Sequence, residues 1–316
     1  MKLQTEIPLQ PQQHNQIDYN SSVLLLGSCF VENIGKKLDY FKFKNLQNPF
    51  GILFHPKAIE TLITNAINEK EYTESDIFFH NEQWHSFNAH SKLSQPLKEG
   101  LLKDLNKEIK STNQQIHDAT HIIVTLGTAW IYRHIKTNTL VANCHKVPQK
   151  KFLKELLVVD EITESLQSII TRIRSVNKKV SIIFTVSPVR HIKDGFIENT
   201  QSKAHLIAAI HQVVEPRNHL HYFPSYEIMM DELRDYRFYN EDMLHPNQTA
   251  INYIWDKFQN VWVSKEASKI MGDVDSIQKG LLHKPFNQKS EAHQKFLQNL
   301  EVKKVRLQKK IPHIKF

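Results

Sequence analysis

Four short apolar runs, each closing on a glycine or a proline, set the strongest limit on how this chain folds. They are Ser22 to Gly27 (SVLLLG), His121 to Gly127 (HIIVTLG), Ser181 to Pro188 (SIIFTVSP) and His219 to Pro224 (HLHYFP). Runs that are continuously apolar, without alternation, belong to strands buried on both faces, as in a parallel sheet held between helical layers. Helical spacing fills the gaps. Phe30, Val31, Ile34 and Leu38 recur after the first run, and further helical patterns occupy about 56–68, 97–110, 160–176 and 202–214. A second strand is expected near Phe43 to Leu46. The fold class expected is therefore α/β, with a parallel sheet covered on both sides.

Three segments break the pattern: an aromatic and His-rich stretch from Ile77 to Leu93, a hairpin over Trp130 to His145 turning at Lys136 to Thr139, and a polar loop from Arg190 to Thr200. All follow or approach the carboxyl edge of the strands, where open parallel sheets bind ligands. Beyond about Gly272 the strand pattern stops. Residues 1–271 then form the main domain and 272–316 a helical, basic extension. Leu281, Leu282, Phe286, Phe296 and Leu300 suggest that the extension docks one amphipathic face on the body or on a second subunit, leaving the Lys-rich end solvated.

The chain has 316 residues, 40% of them hydrophobic and 23% charged, which excludes a wholly disordered polymer. No uncharged apolar run approaches the ~20 residues of a membrane span, and the polar, Gln-rich start lacks a secretory signal. A cytoplasmic protein is expected, with Cys29 and Cys144 as free thiols. The net charge of +8 does not imply a nucleic-acid partner. Lys303, Lys304, Arg306, Lys309, Lys310 and Lys315 against Glu301 supply five of those eight charges from the terminal stretch alone.

Two places carry candidate chemistry. Gly27-Ser28-Cys29-Phe30 marks the passage from strand to helix, where backbone N–H groups favour a thiolate on Cys29 and stabilise an oxyanion. Taken alone, the same residues also read as an N-cap, Ser28, beside a small buried hydrophobe, Cys29. Asp242-Met243-Leu244-His245 precedes Pro246 and an amphipathic helix with Ala250, Ile251, Ile254, Trp255 and Phe258 inward. Pro246 at the first helical position puts His245 at the helix mouth, with Asp242 in reach of its ring.

A nucleophile after the first strand and Asp-x-x-His before a late helix resemble the plan of SGNH hydrolases, the Gly-Asp-Ser-Leu type. The closer resemblance is to the GSCFA family, a bacterial branch related to them. It is carried by GSCF at 27–30, NPFGI at 48–52, WHSF at 84–87, TLGTAW at 125–130, NCHKVP at 143–148, TVSPVRH at 185–191 with DG at 194–195, SKA at 202–204, FPSYEIMMDELRDYRFY at 223–239 and EDMLHP at 241–246. It spans residues 20 to 260. The resemblance implies a flavodoxin-like three-layer α/β/α sandwich with a five-stranded parallel sheet, ordered 2-1-3-4-5, and acyl-ester chemistry.

Laid over Gly-Asp-Ser, Gly27-Ser28-Cys29 puts Cys29 on the nucleophile, in a triad with His245 and Asp242, its thiol partly activated by the helix start. Ser28 is the rival if the turn shifts by one residue. Gly51 takes the place of the second oxyanion glycine, and Gly127-Thr128-Ala129-Trp130 the place of Gly-x-Asn-Asp. The usual Asn donor is thus missing, with Thr128, Trp130 or Asn143 as substitutes, and turn geometry is the plain alternative for Gly51 and Gly127. His85, Trp130, His145, Arg190, His191 and Lys203 are the candidate substrate-binding residues. Arg190 and Lys203 suit an anionic group, or else form buried ion pairs with Asp194, Asp231 or Glu232.

No phosphate-binding glycine motif occurs, and His117 with His121, or His219 with His221, lacks a third metal ligand at a customary spacing, so no cofactor or metal is expected. Two functions compete. One is an acyl-ester hydrolase or acyltransferase, for acetyl among other groups, acting on a small-molecule, carbohydrate or cell-envelope ester. The other is a non-catalytic ligand-binding protein on the same fold. Neither a nucleic acid nor a membrane is expected as a partner, and the C-terminal extension is the expected route to any oligomer.

Overall fold

The computed structural model describes residues 4–316. Its centre is a five-stranded, wholly parallel sheet made of β1 (Ser22–Gly27), β2 (Lys44–Gln47), β5 (His121–Leu126), β9 (Ser181–Val186) and β10 (Leu220–Tyr222), in the order β2-β1-β5-β9-β10. This is the 2-1-3-4-5 order that the family resemblance implies. The continuous apolar runs are explained by two cores. Leu24, Leu26, Ile122, Val124, Ile182 and Phe184 face one, while Val23, Leu25, Ile123 and Ile183 face the other.

The first core is closed by α2 (Pro56–Ile67), α3 (Lys98–Asp118), α4 (Val159–Val176) and α5 (Phe196–Val213). Each presents a buried stripe at helical spacing, such as Leu101, Leu105, Ile109 and Ile116 on α3. The second core is closed by α1 (Cys29–Tyr40), α7 (Gln248–Trp262), α8 (Lys265–Leu282) and α9 (Glu291–Lys310). Between β10 and α7 the chain makes a short turn, α6 (Ser225–Glu227), which runs into a π-helical turn over Ile228–Glu232 and is followed by a 3-10 turn over Tyr236–Phe238.

Two of the three expected interruptions are antiparallel, and the third, Arg190 to Thr200, holds a 3-10 turn over Ile192–Asp194 and then enters α5 at Phe196. β3 (Phe78–His80) pairs with β4 (Gln83–His85), and β6 (Trp130–His134) lies between β7 (Thr139–Val141) and β8 (Phe152–Leu156). In the parallel sheet Gly27 lies opposite Thr125, and Leu126 opposite Val186, so the loops after β1, β5 and β9 leave from one edge. Among the described residues, no helix is long and apolar enough to cross a membrane.

α8 runs unbroken through residues 271 and 272, with Met271 and Val274 buried on one face. The chain end differs from the expectation in not being wholly solvated. Leu307, Ile311 and Ile314 are buried in the same core as Tyr19 and Phe43. Lysines between them hid this periodicity, because long cationic side chains stay in water while their helix docks.

Candidate active site

β1 ends on Gly27 with φ of +137°, and a Cβ there would lie 2.1 Å from Thr125 O. Only glycine allows so close an approach of the turn to β5. Ser28 caps α1: its Oγ accepts from Phe30 N, its own N–H donates to Thr125 O, and it is buried. Cys29 is the first helical residue and partly exposed. The hydroxyl of Ser28 is thus engaged as a cap, whereas the Cys29 thiol is closer to solvent.

The thiol is not activated in the way the helix start suggested. Burial pushes its pKa up, with Glu32 adding to the rise, while Lys203 and the N–H groups of Cys29 and Phe30 oppose it without prevailing. Desolvation of a thiolate outweighs a helix terminus here. Cys144, the other free thiol, is pushed up by burial to about 11.

Asp242 and His245 sit in a tight turn with Met243 at φ of +59°. That conformation lets one carboxylate bind three donors. Oδ1 accepts from the N–H groups of Leu244 and His245 at 2.9 and 3.0 Å, and Oδ2 accepts from His245 Nδ1 at 2.6 Å. These bonds, first the backbone bond from His245, hold the Asp242 pKa down at about 2. With Nδ1 committed to the carboxylate, His245 Nε2 makes no hydrogen bond among the described residues. Both side chains are roughly half exposed. α7 begins later than Pro246 suggested. Asn247 is the cap, its side chain accepting from Ala250 N, and Pro246 instead pairs with Tyr239 in a bridge closing the turn.

Arg190 N donates to Leu244 O at 3.2 Å, tying this turn to the loop after β9. The Arg190 guanidinium lies 5.3 Å over the Phe196 ring. It takes no carboxylate partner among the described residues; Asp194 pairs with Lys154 at 2.6 Å and Glu232 with Lys257 at 3.2 Å. His191 follows, its N–H given to Asn199 Oδ1. Its ring Nε2 is buried without a partner and would lie 3.2 Å from a Cβ on Gly127. Burial, with the fields of Lys203 and His245, holds its pKa down at about 3, so the ring is neutral.

Lys203 lies deeper. Its Nζ donates to Gly127 O at 2.7 Å and Ser187 O at 2.8 Å, joining the loops after β5 and β9, and its side chain is 1% exposed. Burial lowers its pKa to about 7, while the nearby Cys29 pulls it back up. Its donors are turned to the backbone and not to solvent, so the structure gives it neither an ion pair nor an outward clamp.

Of the N–H groups expected at an oxyanion, those of Gly51, Gly127 and Thr128 are engaged. Gly51 N donates to Asn48 O, and Gly127 N and Thr128 N both donate to Phe54 O. Thr128 Oγ1 bonds Ser202 Oγ at 3.0 Å and accepts from Trp130 N. Trp130 Nε1 donates to Glu198 O, and Lys154 stands 4.3 Å over its ring. Asn143 Oδ1 accepts from His145 N. His85 and His145 form a separate cluster with ring centroids 4.6 Å apart. His85 bonds Ser94 Oγ and His80 O, and His145 Nε2 donates to Ser86 O, leaving His145 Nδ1 buried and unpartnered.

Sequence reasoning passed over Asn48. Its Oδ1 accepts from Gly27 N at 2.9 Å, and because a backbone N–H needs an oxygen, the amide Nδ2 is left buried without a partner beside the Gly27 turn. Its place at the head of NPFGI, directly after β2, was the available signal. Among the described residues, no three His, Cys, Asp or Glu side chains gather as metal ligands.

The sequence model described as the GSCFA family matches residues 22–258, and one described as GSCFA domain protein, C-terminal domain, matches residues 274–316. No curated protein matches the chain.

Proposed function

From the premise that this chain belongs to the GSCFA family, we propose that it is an acyl-ester hydrolase or acyltransferase working through Cys29, His245 and Asp242. The observation that carries the reading is the Asp242 to His245 Nδ1 bond of 2.6 Å, in a turn tied through Arg190 to the strand edge from which Cys29 also emerges. A carboxylate that fixes the tautomer and leaves Nε2 free is the arrangement of a general base.

Because the resting thiol is neutral, His245 Nε2 takes the Cys29 proton as Sγ attacks the ester carbonyl. The tetrahedral intermediate collapses, the alkoxide leaves with the proton from His245, and a thioester remains on Cys29. Water or a second alcohol then gives its proton to His245 and attacks the thioester, releasing the acid or new ester and returning the proton to sulfur. The N–H of Cys29 and the spare amide of Asn48 are the donors we assign to the oxyanion. Arg190 binds an anionic group on a carbohydrate or cell-envelope ester, acetyl being the simplest acyl group.

The internal bonds of Gly51, Gly127 and Thr128 favour the second reading, a binding protein that retains the fold without catalysis. A panel of activated esters and thioesters, followed by intact mass, separates the two. Wild type should accumulate a covalent acyl adduct that Cys29→Ala abolishes and Ser28→Ala retains. No adduct with any ester or thioester transfers the argument to the binding protein, and an adduct on Ser28 makes the enzyme a serine hydrolase.

A further inference from the structure

Residues 279–316 hold ten lysines and arginines against two glutamates, a net +8 that equals the charge of the whole chain and leaves residues 1–278 neutral. That asymmetry becomes meaningful once the apolar side chains are placed. At the end of α8 and in the loop to α9, Leu281, Leu282 and Phe286 are exposed, Leu282 at 74% and Phe286 completely. Lys279, Lys284 and Lys289 alternate with them, and no acidic residue interrupts 279–290. Along the outer side of α9, Val302 and Val305 are exposed beside Arg306 and Lys309.

Much of this charge is uncommitted. Lys279 pairs with Asp275 and Lys304 with Glu301, but Lys284, Lys289, Lys295, Arg306 and Lys309 make no ion pair among the described residues. The inner side of the hairpin is already used, since Leu300 packs against Gly280 and Leu307 is buried. The tip and outer face therefore combine unpartnered cations with large apolar groups held away from the body.

We propose that the α8–α9 hairpin is a docking device for an anionic lipid surface, with Leu281, Leu282 and Phe286 entering the headgroup and acyl boundary and the surrounding lysines holding the lipid phosphates. Charge complementarity selects this occupant. A second copy would set +8 against +8 on a symmetric face, and a nucleic acid would satisfy the lysines while leaving two leucines in water. Interfacial segments combine basic residues with a few apolar side chains buried ~5–10 Å deep, and each lysine near such a surface adds roughly a fivefold gain in partitioning. The assignment is independent of the chemistry at Cys29.

Full-length protein sedimented with vesicles tests it. Phosphatidylcholine containing phosphatidylglycerol should bind the chain at least about tenfold more strongly than phosphatidylcholine alone, and binding should weaken steeply between about 0.1 and 1 M salt. Leu282→Ser with Phe286→Ser, and separately Lys284→Glu with Lys289→Glu, should each lower binding about tenfold or more while leaving the melting temperature unchanged, since all four side chains are exposed. Equal binding to both vesicle types overturns the proposal, as does a serine variant that binds like wild type. So does a dimer that the serine variant dissociates, or tighter binding to a short DNA duplex that depends on the same residues.

Discussion

The ammonium of Lys203 donates to the carbonyl of Gly127 at 2.7 Å, placing a buried cation under the strand edge and within the field of Cys29. Sequence presented Lys203 as a hand for substrate; packing makes it a brace between two loops, and its properties become testable as such.

Lys203→Met removes two hydrogen bonds and leaves the carbonyls of Gly127 and Ser187 unsatisfied, at a cost of about 1–3 kcal/mol for each buried group. The pH dependence has a definite sign. With the folded pKa near 7 and below that of the unfolded chain, the folded state binds fewer protons above pH 7, so stability gains as pH rises from 7 through the unfolded value. Thermal melts at pH 7 and pH 9 should show wild type improving relative to Lys203→Met; parallel curves would show that the ammonium stays charged in the fold.

Asp242→Asn should lower kcat about 10⁴-fold with little change in stability, because the turn is exposed and the loss falls on the tautomer of His245. The stabilising contribution of the ionised carboxylate is complete above the unfolded Asp pKa and is lost as pH falls towards 2. Activity lost between pH 5 and 7 must therefore come from another group. A wild-type rate in Asp242→Asn, measured on whichever ester acylates the protein, would remove the dyad from the mechanism.

Iodoacetamide should alkylate Cys29 at pH 7 more slowly than a free cysteine, since burial and Glu32 keep the thiol protonated, and the rate should climb above pH 9. At pH 7 and below, where Lys203 still carries charge, Lys203→Met should slow it further by removing the cation that favours the thiolate. Mass mapping of the adduct with time supplies the rates. Labelling at pH 7 faster than a model thiol would mean that the thiolate is already formed.

Asn48→Asp keeps the acceptor for Gly27 N while removing the spare N–H donors. If Nδ2 serves the oxyanion, kcat should fall about 10²–10³-fold with the substrate KM nearly unchanged. A rise in KM alone would make Asn48 a brace of the turn and nothing more.

Truncation after Val302 deletes Leu307, Ile311 and Ile314, all buried against the second core. At ~1.5–3 kcal/mol for each buried aliphatic side chain, set against the ordering entropy of the segment, the remaining protein should lose about 3 kcal/mol or more. A denaturant titration should show an earlier midpoint. An unchanged midpoint would return the chain end to solvent.

Strand and helix positions and the Asp242–His245 pair were legible in the sequence because each depends on near neighbours or on a repeated apolar period, whereas the strand order came with the family resemblance. Continuous runs such as Leu24-Leu25-Leu26 specify a strand covered on both faces whatever the rest of the chain does, and Asp-x-x-His closes within one turn. The tertiary structure alone decided which polar groups remain available. Gly51, Gly127 and Thr128 looked like oxyanion donors until distant carbonyls and turns took their N–H groups, and Asn48 appeared only once Gly27 had claimed its oxygen. It likewise reversed the shift of the Cys29 thiol and buried the ammonium of Lys203. Burial and hydrogen-bond satisfaction are sums over residues far apart in the chain, whereas periodicity and capping are local, and that separates what could be read along the sequence from what had to be seen in space.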